Sequence, residues 1–243
     1  MLLLFIYITA VLTTLASANV EKTIFLAPPA YSLPDRDPTL DDLGLERLSP
    51  SNGMLRTTVN ASFPTETESR GTDSWYLLEN LNPGQRYEVR ICWLATQPTA
   101  FDLSTYTLHE ILEDRSLLSA ISLYSSSRLA TPPLQAGLTS KNQRGGSANT
   151  DTSSDSVLLL RISAAADYFS LDQTLMENVP PVLADVILDP FLGNVFPKSL
   201  VPTACWIGVV SCLAIVIARF VARDFASAVY SMDVKEPQAK KTQ

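Results

Sequence analysis

Side chains able to do chemistry are sparse in this chain, and their spacing limits what they could do. Asp185 and Asp189 stand four apart in "VLADVILDP", the separation that puts two carboxylates on one side of a helix, and paired carboxylates can act as general acid and base. The neighbouring sequence offers no second set of polar groups to build a pocket around them, so they read as solvated residues or contacts to a partner. His109 is the one histidine, which leaves it without an imidazole partner for a metal, and it reads as an exposed first-turn residue. Of three cysteines, Cys205 and Cys212 lie in one apolar run and Cys92 lies far upstream, so no disulfide is expected within the upstream region. No glycine-rich phosphate loop, nucleophile elbow or metal-ligand cluster is present in the sequence. Catalytic, cofactor-binding and metal-binding residues are therefore all expected to be absent, and a small-molecule substrate of its own is not expected.

The elements around these residues read as those of a membrane protein. "MLLLFIYITAVLTTLASA" is an uncharged apolar run closed by Ala16-Ser17-Ala18, the form of a secretory signal peptide over residues 1–18; without a positive n-region, an uncleaved anchor stays open. "LVPTACWIGVVSCLAIVIARFVA", residues 200–222, has no charge before Arg219 and is long enough for a helix to cross a hydrocarbon core of about 30 Å. Trp206 suits one membrane interface, and Arg219 and Arg223 can snorkel at the other. From Arg219 onward five basic residues face three acidic ones, which orients that end, with tail residues 223–243, to the cytosol. The whole-chain charge of −7 less the tail's +2 leaves −9 on the other side, an unpromising balance for binding nucleic acid. Within the span, Cys205, Gly208 and Cys212 form a stripe of small residues at i, i+3 and i+7, where another helix could approach closely.

Residues 19–175 read as one lumenal domain, with length enough for a core. In "WYLLENLNPGQRYEVRICWLA", alternation places Tyr87, Val89, Ile91 and Trp93 on one strand face, after a turn at Asn82-Pro83-Gly84. Further strands are expected in "EKTIFLAP", "MLRTTVNASF", "SWYLLE" and from Val157 to about Ala164. Helical spacing from Leu108 predicts a helix over about 108–127, started by a Thr107/Glu110 capping box. Residues 131–156, rich in Ser, Thr, Gly and Asn, read as a disordered loop. The fold class expected is mainly β: an antiparallel sandwich with an inserted helix and a C-terminal transmembrane helix. Asn60-Ala61-Ser62 is a glycosylation acceptor pattern. Residues 176–199, cut by prolines yet apolar, read as a juxtamembrane segment with a short interfacial helix, with Val186, Ile187 and Phe191 facing the membrane or a partner.

Three features resemble known patterns. "LNPGQRYEVRI" looks like the corner and penultimate strand of a fibronectin type III-related sandwich, which implies that Leu81, Pro83 and Tyr87 form the corner, with the tyrosine hydroxyl bonded to upstream backbone. The ending "KKTQ" resembles an ER retrieval signal, which implies that Lys240 and Lys241 are read in the cytosol. The layout as a whole, with "DVILDPFLGNVFPKSLVPT" before the span, resembles the fungal co-activator subunit of GPI mannosyltransferase II. That resemblance implies a single-pass type I protein of the endoplasmic reticulum membrane whose partner is a multi-spanning mannosyltransferase carrying all the catalytic residues. Two other readings fit the layout: the stabilising subunit of GPI mannosyltransferase I, and a single-span cargo receptor or chaperone with a fibronectin-like binding domain.

Overall fold

The structure, a computed structural model, describes residues 19–30, 40–130 and 156–239. The leader 1–18, most of the polar loop and Lys240 and Lys241 lie outside the described residues. The chain divides into two compact units, Met1–Val195 and Phe196–Gln243.

Among its described residues the first unit has eight strands: β1 (Val20–Leu26), β2 (Glu46–Leu48), β3 (Met54–Val59), β4 (Thr72–Leu81), β5 (Arg86–Trp93), β6 (Thr99–Thr107), β7 (Ser156–Ala166) and β8 (Val182–Leu192). They form two sheets, with orders β1-β5-β8-β3 and β2-β4-β7-β6. Every pairing among them is antiparallel except that of the short β2 with β4. The main core lies between the sheets. Tyr87, Val89, Ile91, Val182, Ala184, Val186 and Leu188 from the first sheet meet Tyr76, Leu78, Phe101, Leu103, Leu158, Leu160 and Ile162 from the second.

Two helices, α1 (Leu108–Glu113) and α2 (Arg115–Ala130), cover the opposite face of the second sheet, and a short α3 (Gln173–Glu177) lies in the connection from β7 to β8. Under α1 and α2, Trp75, Leu77 and Leu159 pack with Ile111, Ile121 and Leu45 in a second core. Burial on both faces explains why "SWYLL" and "VLLL" are continuous apolar runs, whereas β5, in a sheet that no described helix of this unit covers, alternates. The arginine inside the β7 run is accommodated by aromatic faces: the Arg161 guanidinium lies 5.1 Å from the Tyr106 ring centroid and 6.0 Å from that of Trp75.

The region expected as one helix over 108–127 is two. Thr107 and Glu110 form the capping box of α1, and Asp114 breaks the path with φ −97° and ψ 107°. The Asp114 carboxylate accepts from the Ser116 N–H at 2.8 Å and hydroxyl at 2.7 Å, starting α2 and holding its own pKa below the ordinary carboxylate value.

Residues 176–199 fold otherwise than expected. Val182–Leu192 is not a juxtamembrane helix and loop but a strand inside the first sheet, paired with β5 on one side and β3 on the other. Val186 is 0% exposed in the sandwich core, so it is not a membrane or partner contact. Ile187 is half-buried on the outer face of that sheet, and Phe191 is buried with the Arg86 guanidinium 6.0 Å from its ring centroid. The physical reason is the period-2 set Val182, Ala184, Val186 and Leu188, which a helix would scatter around its circumference and a strand puts on one face. Pro190 fits because it lies past Ile187, the partner of Met54 where β3 begins, so no β3 residue faces it. Val157–Ala164 is accordingly not the last strand, and the sandwich continues to Leu192.

The second unit contains α4 (Val201–Ala239). Lys198–Ser227 is the one stretch among the described residues that is long and apolar enough to cross a membrane, with mean hydropathy 2.3 and none of it buried.

Val186→Asp should therefore unfold the sandwich rather than detach a surface. A buried, unpaired carboxylate costs several kcal/mol, and loss of the thermal transition in mild detergent, followed by circular dichroism, is the expected result; a stably folded variant would contradict the placement of β8.

Candidate functional site

The side chains with a chemical reading on sequence are held in structural roles. Asp185 and Asp189 project from a strand rather than a helix. Asp185 accepts from Arg56 Nε at 2.7 Å and Nη2 at 2.9 Å, a bidentate pair that holds its carboxyl below the ordinary range. Asp189 is buried opposite Glu88 of β5, and Glu88 is bridged by Lys22 at 3.3 Å and faces Arg90 at 3.6 Å. His109 is exposed, with Nε2 3.2 Å from Glu113. Cys92 is a half-buried free thiol whose pKa is pushed up by burial. Among the described residues, no group of three or more His, Cys, Asp or Glu side chains is placed to hold a metal.

The best-defined polar construction is a corner at the end of the sandwich where the chain leaves it. Asn82, Pro83, Gly84 and Gln85 make a tight turn between β4 and β5, closed by the Gln85 N–H to the Asn82 carbonyl at 3.0 Å, with Gly84 at φ 74°. Proline followed by a residue of positive φ is the type II pattern. Leu81 enters the core because β4 bulges just before it, at Asn80 with φ 56°. Tyr87 is fully buried; its hydroxyl accepts from the Asn82 N–H at 3.0 Å and donates to Gln85 Oε1 at 3.0 Å, while its ring stacks on Phe25. Pro83 stays exposed on the turn.

The same corner grips the end of β8. Gln85 Nε2 donates to the Phe191 carbonyl at 3.0 Å. Asn194, at φ 60° in the turn after β8, accepts from the Arg86 N–H at 2.8 Å and donates to the Gly84 carbonyl at 2.9 Å. Sequence reasoning does not find this clasp. The one local signal for it is "LGNV", a glycine and an asparagine suited to positive φ, directly after a strand.

Asn60 is exposed just after β3, while Ser62 of the same triplet accepts from the Thr72 hydroxyl at 3.0 Å. In the second unit Cys205, Gly208 and Cys212 are exposed on α4, and a Cβ added at Gly208 would meet nothing within 4 Å.

These features define a mainly β protein with one candidate membrane helix. Comparison with known families is specific: the model of the GPI-Mannosyltransferase II co-activator family, Pga1, matches residues 9–120, a little under half of the chain. The match supports identification of the chain as the co-activator subunit of GPI mannosyltransferase II, a non-catalytic member of a mannosyltransferase complex, and GPI biosynthesis places it at the endoplasmic reticulum membrane. No curated protein and no solved structure matches the chain.

Two changes separate the parts of the corner. Tyr87→Ala should destabilise the sandwich by about 3 to 5 kcal/mol, as large-to-small aromatic changes in a core do. Asn194→Ala, which leaves the core intact and frees two backbone groups at an exposed turn, should cost about 1 kcal/mol. Thermal unfolding in detergent checks both; equal losses would show that the clasp and the core ring are not separable.

Proposed function

We propose that this chain is a type I subunit that stabilises or activates the second mannosyltransferase of GPI biosynthesis, with the sandwich in the lumen, Lys198–Ser227 as its span and the basic end in the cytosol. The family match over residues 9–120 carries the reading. In this arrangement residues 1–18 act as the signal peptide, Asn60 accepts a glycan, and Lys240 and Lys241 return escaped protein to the endoplasmic reticulum. The partner is a multi-spanning enzyme that carries the catalytic groups, and the subunit contacts it within the bilayer along Cys205, Gly208 and Cys212. Supporting that contact, the three residues are exposed on their helix, and small residues allow close approach of another helix. A Cβ added at position 208 meets no atom of the described residues within 4 Å, so its effect would report on the partner.

Depletion of the protein should accumulate GPI precursors carrying one mannose, detected by labelling of lipid-linked intermediates; an unchanged profile would exclude the co-activator role. Gly208→Leu should reduce recovery of the mannosyltransferase in a detergent pull-down while leaving the thermal midpoint of the sandwich unchanged. Undiminished recovery would remove the stripe from the interface. Changing Lys240 and Lys241 to serine should let the Asn60 glycan acquire post-ER processing, and continued retention would assign residence to partner assembly instead.

A further inference from the structure

Among the described residues, the end of the sandwich at which the chain leaves it carries three exposed apolar side chains, Leu26 at 56%, Leu192 at 49% and Val195 at 80%. The corner gathers them. The Ala27 N–H bonds the Gln85 carbonyl and the Gly84 N–H bonds the Ala27 carbonyl, each at 2.9 Å, which seats the end of β1 against the turn. The Asn194 clasp seats the end of β8 against the same turn. Arg86, exposed and paired with Leu26 across the β1–β5 ladder, lies over the Phe191 ring.

What covers these side chains follows from chain length. Val201, the first residue of α4, is six residues beyond Val195, and six extended residues reach at most about 20 Å. The apolar stretch begins sooner, at Lys198. A bilayer crossed by that stretch must therefore lie within reach of this end of the sandwich, whatever the orientation of the two units. The other end is much farther along the fold: the connection from β7 to β8 carries the exposed Phe169 and Leu171, and the eleven residues of β8 at about 3.3 Å each separate it from the exit by about 35 Å.

We propose that Leu26, Leu192 and Val195 form a rim that rests in the boundary between lipid headgroups and acyl chains, with Arg86 directed to lipid phosphate. Apolar tips flanked by a cation suit that boundary, since the alkyl groups leave water while the guanidinium remains with the headgroups. The rim fixes how the sandwich stands on the bilayer. The inference rests on Lys198–Ser227 crossing the membrane.

The test uses the full chain in nanodiscs of phosphatidylcholine with phosphatidylserine, with Cys92, Cys205 and Cys212 changed to serine and a nitroxide label placed at Leu26→Cys, Val195→Cys or Phe169→Cys. Collision with oxygen should exceed collision with a nickel chelate severalfold at positions 26 and 195, and the order should reverse at 169. Equal nickel access at all three positions would overturn the rim, as would shielding of 26 and 195 from both reagents, which would mean a protein covers them. Alkaline carbonate extraction of the unlabelled chain from membranes separates the two levels. Release from the membrane would defeat the span and the rim together, whereas retention with water-exposed labels would defeat the rim alone. An unchanged thermal midpoint in each labelled variant shows that the sandwich is intact.

Discussion

The central position of β8 is the constraint on which the rest of the first unit depends. The strand that precedes the apolar helix in sequence is hydrogen-bonded on one side to β5 and on the other to β3. Its inward residues Val182, Ala184, Val186 and Leu188 are all in the main core. A final strand at a sheet edge can peel away with the segment that follows it; one held on both sides cannot leave without breaking two ladders and opening the core. The first unit thus ends on a strand that is paired on both sides.

The tyrosine corner extends that constraint to the chain exit. Tyr87 anchors the turn at residues 82–85 to the core, and the turn in its own right binds Phe191 and Asn194 through side chains and backbone. Each bond is of ordinary length, and a net contribution of about 1 kcal/mol apiece is typical. Their joint effect is geometric, because they act on one short turn whose Gly193 and Asn194 both adopt positive φ.

Legibility in the sequence follows periodicity. Strand β5 is readable because no described helix of its unit covers the outer face of its sheet, so the sequence alternates. Strands β4 and β7 are readable as strands but not as the middle layer, since continuous burial in "VLLL" does not say what lies on either side. Strand β8 escapes recognition although its alternation is present. Ile187 and Phe191 lie outside the alternating set yet are apolar as well, and prolines on both sides make the stretch look like an interrupted surface segment. The break at Asp114 is hidden because apolar spacing runs on across it, from Ile111 to Leu118 and Ile121, and only the hydrogen bonds of Asp114 to Ser116 mark the new start.

The carboxylates show why residue type alone is a poor guide to activity. Asp185 and Asp189 sit four apart, but in a strand an even separation places both on one face about 13 Å apart, too far to share a proton. Each is instead occupied by its neighbours: Asp185 by a bidentate guanidinium, and Asp189 in a buried cross-strand row with Glu88. Buried carboxylates in a sheet need cations nearby, and Lys22 and Arg90 flank Glu88. Charge on this face is thereby used to hold neighbouring strands in register. Among the described residues these carboxylates serve the sheet rather than a reaction centre, in keeping with the match to a co-activator family.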